Sequence, residues 1–155
     1  MNTKTIIHSP LLGAHIKGLD TDIIEQLRDL ETEQLESVLD FWLRHSDYAR
    51  YGEGYRTHIR LEFLRFMSLK FFTDKPLFPP PAIDDFLHTF ILHTEEYMAF
   101  CVQHFGAYVH HKPHPSTPSE EYRQSEEGKT TIELARSLYP DISDDIWELS
   151  FKCAI

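Results

Sequence analysis

Glycine is scarce in this chain, at six of 155 residues, and few runs of β-branched residues alternate with polar ones. That composition argues against a turn-rich β architecture and for helices. Cysteine is scarcer still: Cys101 and Cys153 form no CxxC pair and no disulfide framework. The N-terminal stretch MNTKTIIHSPLLGAHIKG lacks an apolar run of signal-peptide length, so the expected setting is a reducing cytoplasm. Nothing later in the chain approaches transmembrane length, which excludes a membrane partner. Cys153 stands third from the end of KCAI, where a prenylation box needs a cysteine in fourth place. HExxH, GxSxG and a phosphate-binding glycine loop are all missing. No nucleotide cofactor is therefore expected, and no catalytic residue or reaction can be named.

Positive charge is also in deficit. Fifteen Lys and Arg face 25 Asp and Glu, giving a net charge of −10 and a pI near 5.4. Nucleic acid or an anionic bilayer would be repelled unless it met a local basic patch. The nearest candidate, Arg56, Arg60, Arg65 and Lys70, is interrupted by Glu62 and reads as the solvated side of a helix. Nucleic acid is thus excluded as a partner.

What is present suits one all-α domain over 1–155, of six to seven helices. The hydrophobic share of 41% and charged share of 26% are ordinary for a globular protein, and the length allows a real core. Residues 1–18 carry Pro10, Gly13 and Gly18 and read as an irregular lead-in. Asp20 or Thr21 can cap a helix through Leu30, and Thr32 can open a second that ends near Ser46. A third, rich in buried aromatic positions, is expected over Tyr55–Phe72. The four prolines of DKPLFPPP make 73–81 an extended linker. Farther on, Ser119 can cap a helix through Leu138, and Ser143 a short last one packed through Ile146, Trp147 and Phe151.

Chemistry concentrates in 83–113. Six of the ten histidines fall between His88 and His114, with Cys101 among them. Asp84 and His88 lie one helical turn apart and share an edge. Thr94, followed by Glu95 and Glu96, looks like a helix start, so the stretch can be two helices, Ile83–Leu92 and Glu95–Phe105, with Gly106 closing the second. Reach makes the break decisive. In one unbroken helix His88 would lie roughly 27 Å from Gly106 at 1.5 Å per residue. The extended segment to His111 covers only about 17 Å. With a break, Asp84, His88, Cys101 and His111 can converge into a site for zinc or another divalent transition metal, since imidazole, thiolate and carboxylate are the usual ligands of such ions. His110 is a further candidate, and Asp84 can instead orient the His88 ring. His93 and His104 read as surface or boundary residues, His114 as a solvated loop residue, and Tyr97 and Phe100 as core.

The string Asp84-x-x-Leu87-His88-x-Phe90-Ile91-Leu92-x-Thr94-x-x-Tyr97-x-x-Phe100-Cys101, then Phe105-Gly106 and His110-His111-x-Pro113, resembles the core of the glycine-rich domain-containing protein-like family. The likeness covers about thirty residues. Leu87 stands where that family usually has Trp, and the glycine-rich tail of its plant members is missing. The resemblance implies no named reaction, and it points to Asp84, His88, Thr94, Tyr97, Cys101 and His111 as the positions that matter.

Two functions compete at this level. One is a small helical metal-binding protein, with enzymatic activity left open. The other is a non-catalytic acidic interaction module that binds a protein partner and uses its histidines structurally. A histidine cluster acting as a pH sensor is a third, which no further feature of the chain favours.

Overall fold

The computed structural model describes residues 11–15, 17–112 and 125–147. Over them the chain forms seven α-helices: α1 (Thr21–Glu31), α2 (Glu36–His45), α3 (Glu53–Ser68), α4 (Pro81–Leu92), α5 (Thr94–Phe105), α6 (Glu126–Leu138) and α7 (Asp144–Trp147). Short 3-10 turns cover Leu11–Gly13, Asp47–Tyr51 and Leu69–Phe71. No strand occurs among the described residues, as the composition led us to expect. Nor is any helix among them long and apolar enough to cross a membrane.

Local chemistry explains several helix ends. The Asp20 carboxylate accepts the Asp22 N–H at 3.1 Å and caps α1, and the Ser125 hydroxyl accepts the Gly128 N–H at 3.0 Å and caps α6. The expected cap at Ser119 lies outside the described residues, as does Phe151. Ser143 does precede α7, its carbonyl accepting from Ile146 and Trp147. Thr32, by contrast, does not open α2. Its N–H and hydroxyl both return to the Asp29 carbonyl, closing α1, and Leu35 then takes a left-handed φ of 54° before α2 starts. At the third helix the 3-10 turn carries the helical path to Phe71, close to the expected end.

Helix α3 runs through the centre, packed on α1, α2 and α4. Phe63 meets Phe86 of α4 at 4.8 Å and near-perpendicular, and Phe90 in turn meets Tyr97 and Phe100 of α5, each at 5.2 Å. These edge-to-face contacts are the preferred geometry for aromatic quadrupoles. They fix how α4 and α5 sit on α3.

The second half of α3 is buried on every side, from Glu62 to Ser68. This corrects the solvated-face reading of its charges. Arg65 is 2% exposed and Glu62 3%. Arg65 donates to Glu62 at 3.0 Å, to Asp141 at 2.9 Å and to the Leu12 carbonyl at 2.9 Å, and lies over the Tyr139 ring. Glu62 also accepts from the Trp147 indole and the Ser143 N–H. Arg60 and Arg56 are likewise engaged, with the Glu31 and Glu33 carbonyls and with Asp40 respectively. Gly13 passes so near that a Cβ there would come within 2.9 Å of the Arg65 guanidinium, and its φ of 78° independently favours glycine. Charges this deep persist only when paired, and removing one partner of such a pair typically costs about 3–5 kcal/mol.

Burial raises the Glu62 carboxyl above its ordinary range, outweighing the opposing effects of Arg65, Trp147 and Ser143. The folded state therefore binds this proton more tightly than the unfolded one. The stability contributed is greatest below the unfolded value of about 4.3 and declines as pH rises through the folded value. Urea unfolding from pH 4.5 to 8 should show the stability of the wild type relative to Glu62→Gln falling as pH rises. A difference that stays flat would overturn this assignment.

Candidate metal centre

Helix α4 begins with Pro81 at its first position, where a missing N–H costs nothing, and its first turn carries Asp84. The neighbouring Asp85 accepts from the Trp42 indole at 2.8 Å, which holds this end of α4 against α2. Asp84 and His88 follow one turn apart. The helix stops at Leu92, where His93 leaves helical geometry with φ −82° and ψ 71°. The His93 carbonyl then accepts the Tyr97 N–H at 2.8 Å and starts α5. Thr94 is the first helical residue and makes no side-chain cap; Glu95 and Glu96 occupy the first turn, where the helix dipole favours them.

Gly106 ends α5 at φ 76°, its N–H bonded to the Val102 carbonyl. The chain then turns back. The Tyr97 hydroxyl donates to the Val109 carbonyl at 2.6 Å, and its ring meets Tyr108 edge-on at 5.2 Å. Burial, followed by the adjacent Cys101 thiol, pushes the Tyr97 phenol up from its ordinary range, so it remains a neutral donor.

This return brings His111 onto His88. Their Nε2 atoms stand 3.0 Å apart, and a single carboxylate oxygen of Asp84 lies 3.0 Å from His111 and 3.5 Å from His88. Asp84, His88 and His111 thus form a group that could hold a metal ion. The His88 side chain is 48% exposed, that of Asp84 33% and that of His111 15%. The triangle is open to solvent on one side.

Cys101 does not join them. It is fully buried, one turn after Tyr97 on the inward side of α5, with its thiol beside the Tyr97 phenol. His104 departs from the surface reading. Its side chain is buried, with Nε2 2.7 Å from Glu33 and Nδ1 3.4 Å from Asp29, and it ties α5 to the end of α1. His93 is half-buried, its Nδ1 2.9 Å from the Thr89 carbonyl and its ring against Phe41. His110 is exposed beside Tyr108, and His114 lies outside the described residues.

A match to the UCP032817-like family runs over residues 19–136, from just before α1 into α6, and so contains the entire triad. The chain belongs to the UCP032817-like family. Comparison with curated proteins and with solved structures returns no match. Family membership therefore supplies no reaction, and the chemistry must be argued from the side chains.

The separations themselves suit a cation. At zinc–ligand bonds of about 2.0–2.2 Å, tetrahedral ligand atoms lie roughly 3.3–3.6 Å apart. Right-angled coordination at similar bond lengths brings them to about 3.0 Å. The observed 3.0–3.5 Å falls across this range.

The site depends on the returning segment, and that segment on Tyr97. In Tyr97→Phe the hydroxyl is lost, and amide hydrogen exchange should speed up over 107–112 while α3 and α4 keep their protection. The equilibrium loss should be about 1–3 kcal/mol, the cost of leaving an acceptor unpaired. Unchanged exchange in 107–112 would show that other contacts hold the segment.

Proposed function

We propose that this protein binds one divalent transition metal ion, zinc in the first instance, through Nε2 of His88, Nε2 of His111 and a carboxylate oxygen of Asp84. The observation that carries this reading is the convergence of three basic atoms within 3.0–3.5 Å. Facing lone pairs repel, so protons or a cation must lie between them. Two histidines and one carboxylate form a donor set used by zinc and by non-haem iron(II). Cys101 is left out of the ligand set because its thiol is turned into the core. The resemblance to the glycine-rich domain-containing protein-like family marks these three positions among the six it points to.

Three protein ligands leave coordination positions free on the solvent side. An ion bound with such a free position supplies Lewis acidity and an acidified water. The chain's own contribution is orientation: His88 and Asp84 are set by one turn of α4, and His111 by the segment tied to Tyr97.

A competing reading makes the cluster a hydrogen-bonded clasp, and the 3.0 Å contact between the two rings favours it if one ring carries a proton there. The protein would then be the acidic interaction module.

Zinc separates the two. Titration of chelator-treated protein against a competing zinc indicator should give one equivalent bound. His88→Ala, His111→Ala and Asp84→Asn should each weaken binding by tenfold or more, and Cys101→Ala should leave it unchanged. At a free zinc concentration of 100 Kd the protein should gain about 2.7 kcal/mol of stability. Absence of stoichiometric zinc, with melting indifferent to both zinc and chelator, would leave only the clasp.

A further inference from the structure

Beside the triad lies a cleft of about 440 Å³, inside the range of roughly 300–1,000 Å³ typical of small-molecule sites. It shares His111 with the triad, but neither His88 nor Asp84 reaches it. Its apolar lining comes from Phe66 and Met67 of α3, Leu77 of the linker, Leu87 of α4 and Val109 of the returning segment. The linker wall is preformed. Prolines 76 and 79 restrict its backbone, and the Phe78 N–H donates to the Thr131 hydroxyl of α6 at 3.0 Å.

Lys70, Lys75 and Lys112 also line the cleft, each exposed and each from a different segment. Among the described residues, the carboxylates in the lining are Asp74 and Glu127. Among the described residues none of the three lysines makes an ion pair. In a chain of net charge −10, three lysines thus face two carboxylates around this apolar cavity among the described residues.

We propose that this cleft binds a small soluble monoanion with an apolar body, of the class of a medium-chain or aryl-substituted carboxylate. The apolar walls take the body, and the lysines take the carboxylate at the mouth. The overall negative field disfavours a polyanion or an anionic bilayer, whereas a single charge meets mainly the local cations. This inference goes beyond the metal reading and does not require it.

The test uses the full chain stripped of metal by a chelator, so its outcome is separate from the zinc titration. Octanoate, octanol and octyltrimethylammonium are titrated by calorimetry and by amide chemical shifts. Octanoate should bind one to one, with Kd on the order of 0.1–1 mM for a ligand of this size. Octanol should bind several-fold more weakly and the ammonium more weakly again. Exposed ion pairs are each worth at most a few-fold, so the triple variant Lys70→Glu, Lys75→Glu, Lys112→Glu should lose about tenfold for octanoate and little for octanol. Those three positions are exposed, so the variant should fold, and circular dichroism would verify it. Leu87→Trp, which fills the cleft, should abolish octanoate binding. No saturable octanoate binding by 10 mM would overturn the proposal. So would equal affinity for octanoate and octanol, indifference to the triple charge reversal, or binding to phosphatidylglycerol vesicles without binding to free octanoate.

Discussion

One hydroxyl holds the returning chain in place. The Tyr97 phenol reaches from the buried side of α5 to the Val109 carbonyl, and that bond fixes where the backbone after Gly106 runs. Two residues later stands His111, whose ring meets Asp84 and His88 of α4. The donor is well suited to this task. Burial, then the Cys101 thiol, push the phenol up from its ordinary range, and the ring is met edge-on by Phe90 and Tyr108. A rigid aromatic with one satisfied polar tip loses little freedom on folding and gains a directional bond. Cys101, drawn toward the site by its sequence neighbourhood, acts instead on Tyr97.

A second constraint stands on the other side of the core. Glu62 and Arg65 bring together the turn at Leu12, the loop at Asp141 and the last helix at Trp147 around the buried half of α3. Such a pair offers little net stability over an apolar packing of equal volume. Its effect here is to tie the Leu12 turn, the Asp141 loop and Trp147 to the buried half of α3. The triad avoids this cost by lying at the surface, where Asp84 and His88 keep part of their hydration.

The helices were legible because their apolar positions recur at 3.6-residue spacing, and the α4–α5 break because a hydroxyl followed by two carboxylates marks a helix start. Chain reach then made the break a condition for His88 to meet His111, and the chain does turn at His93. Tertiary contacts were what the local pattern could not show. Arg65 and Glu62 looked solvated because charge on a helix usually is, and only the helices packed around them make that false. His104 went astray for the same reason: its partners Asp29 and Glu33 lie more than seventy residues away. Thr32 had the chemistry of a cap, but its hydroxyl was already committed to closing α1. Of the cleft's lysines, Lys70 and Lys75 stand five residues apart but Lys112 arrives with the returning segment, so no short window of sequence displays all three.

These features bear on how a cation would be held. Asp84 and His88 are set by one helix and form an edge in any state where α4 is folded. His111 joins them only when α5 has ended at Gly106 and Tyr97 has bonded Val109. The third side chain of the group is therefore brought in by tertiary structure, and the unfolded chain offers no comparable set. Binding that discriminates folded from unfolded chain adds its free energy to stability. It would act most strongly on the returning segment, which is held by the Tyr97 bond to Val109, by the contacts of His111 with Asp84 and His88, and by packing of Tyr108 and Val109 on the core. By the same linkage, anything that frees that segment separates His111 from a pair that remains intact, and would weaken the proposed binding without disturbing α4.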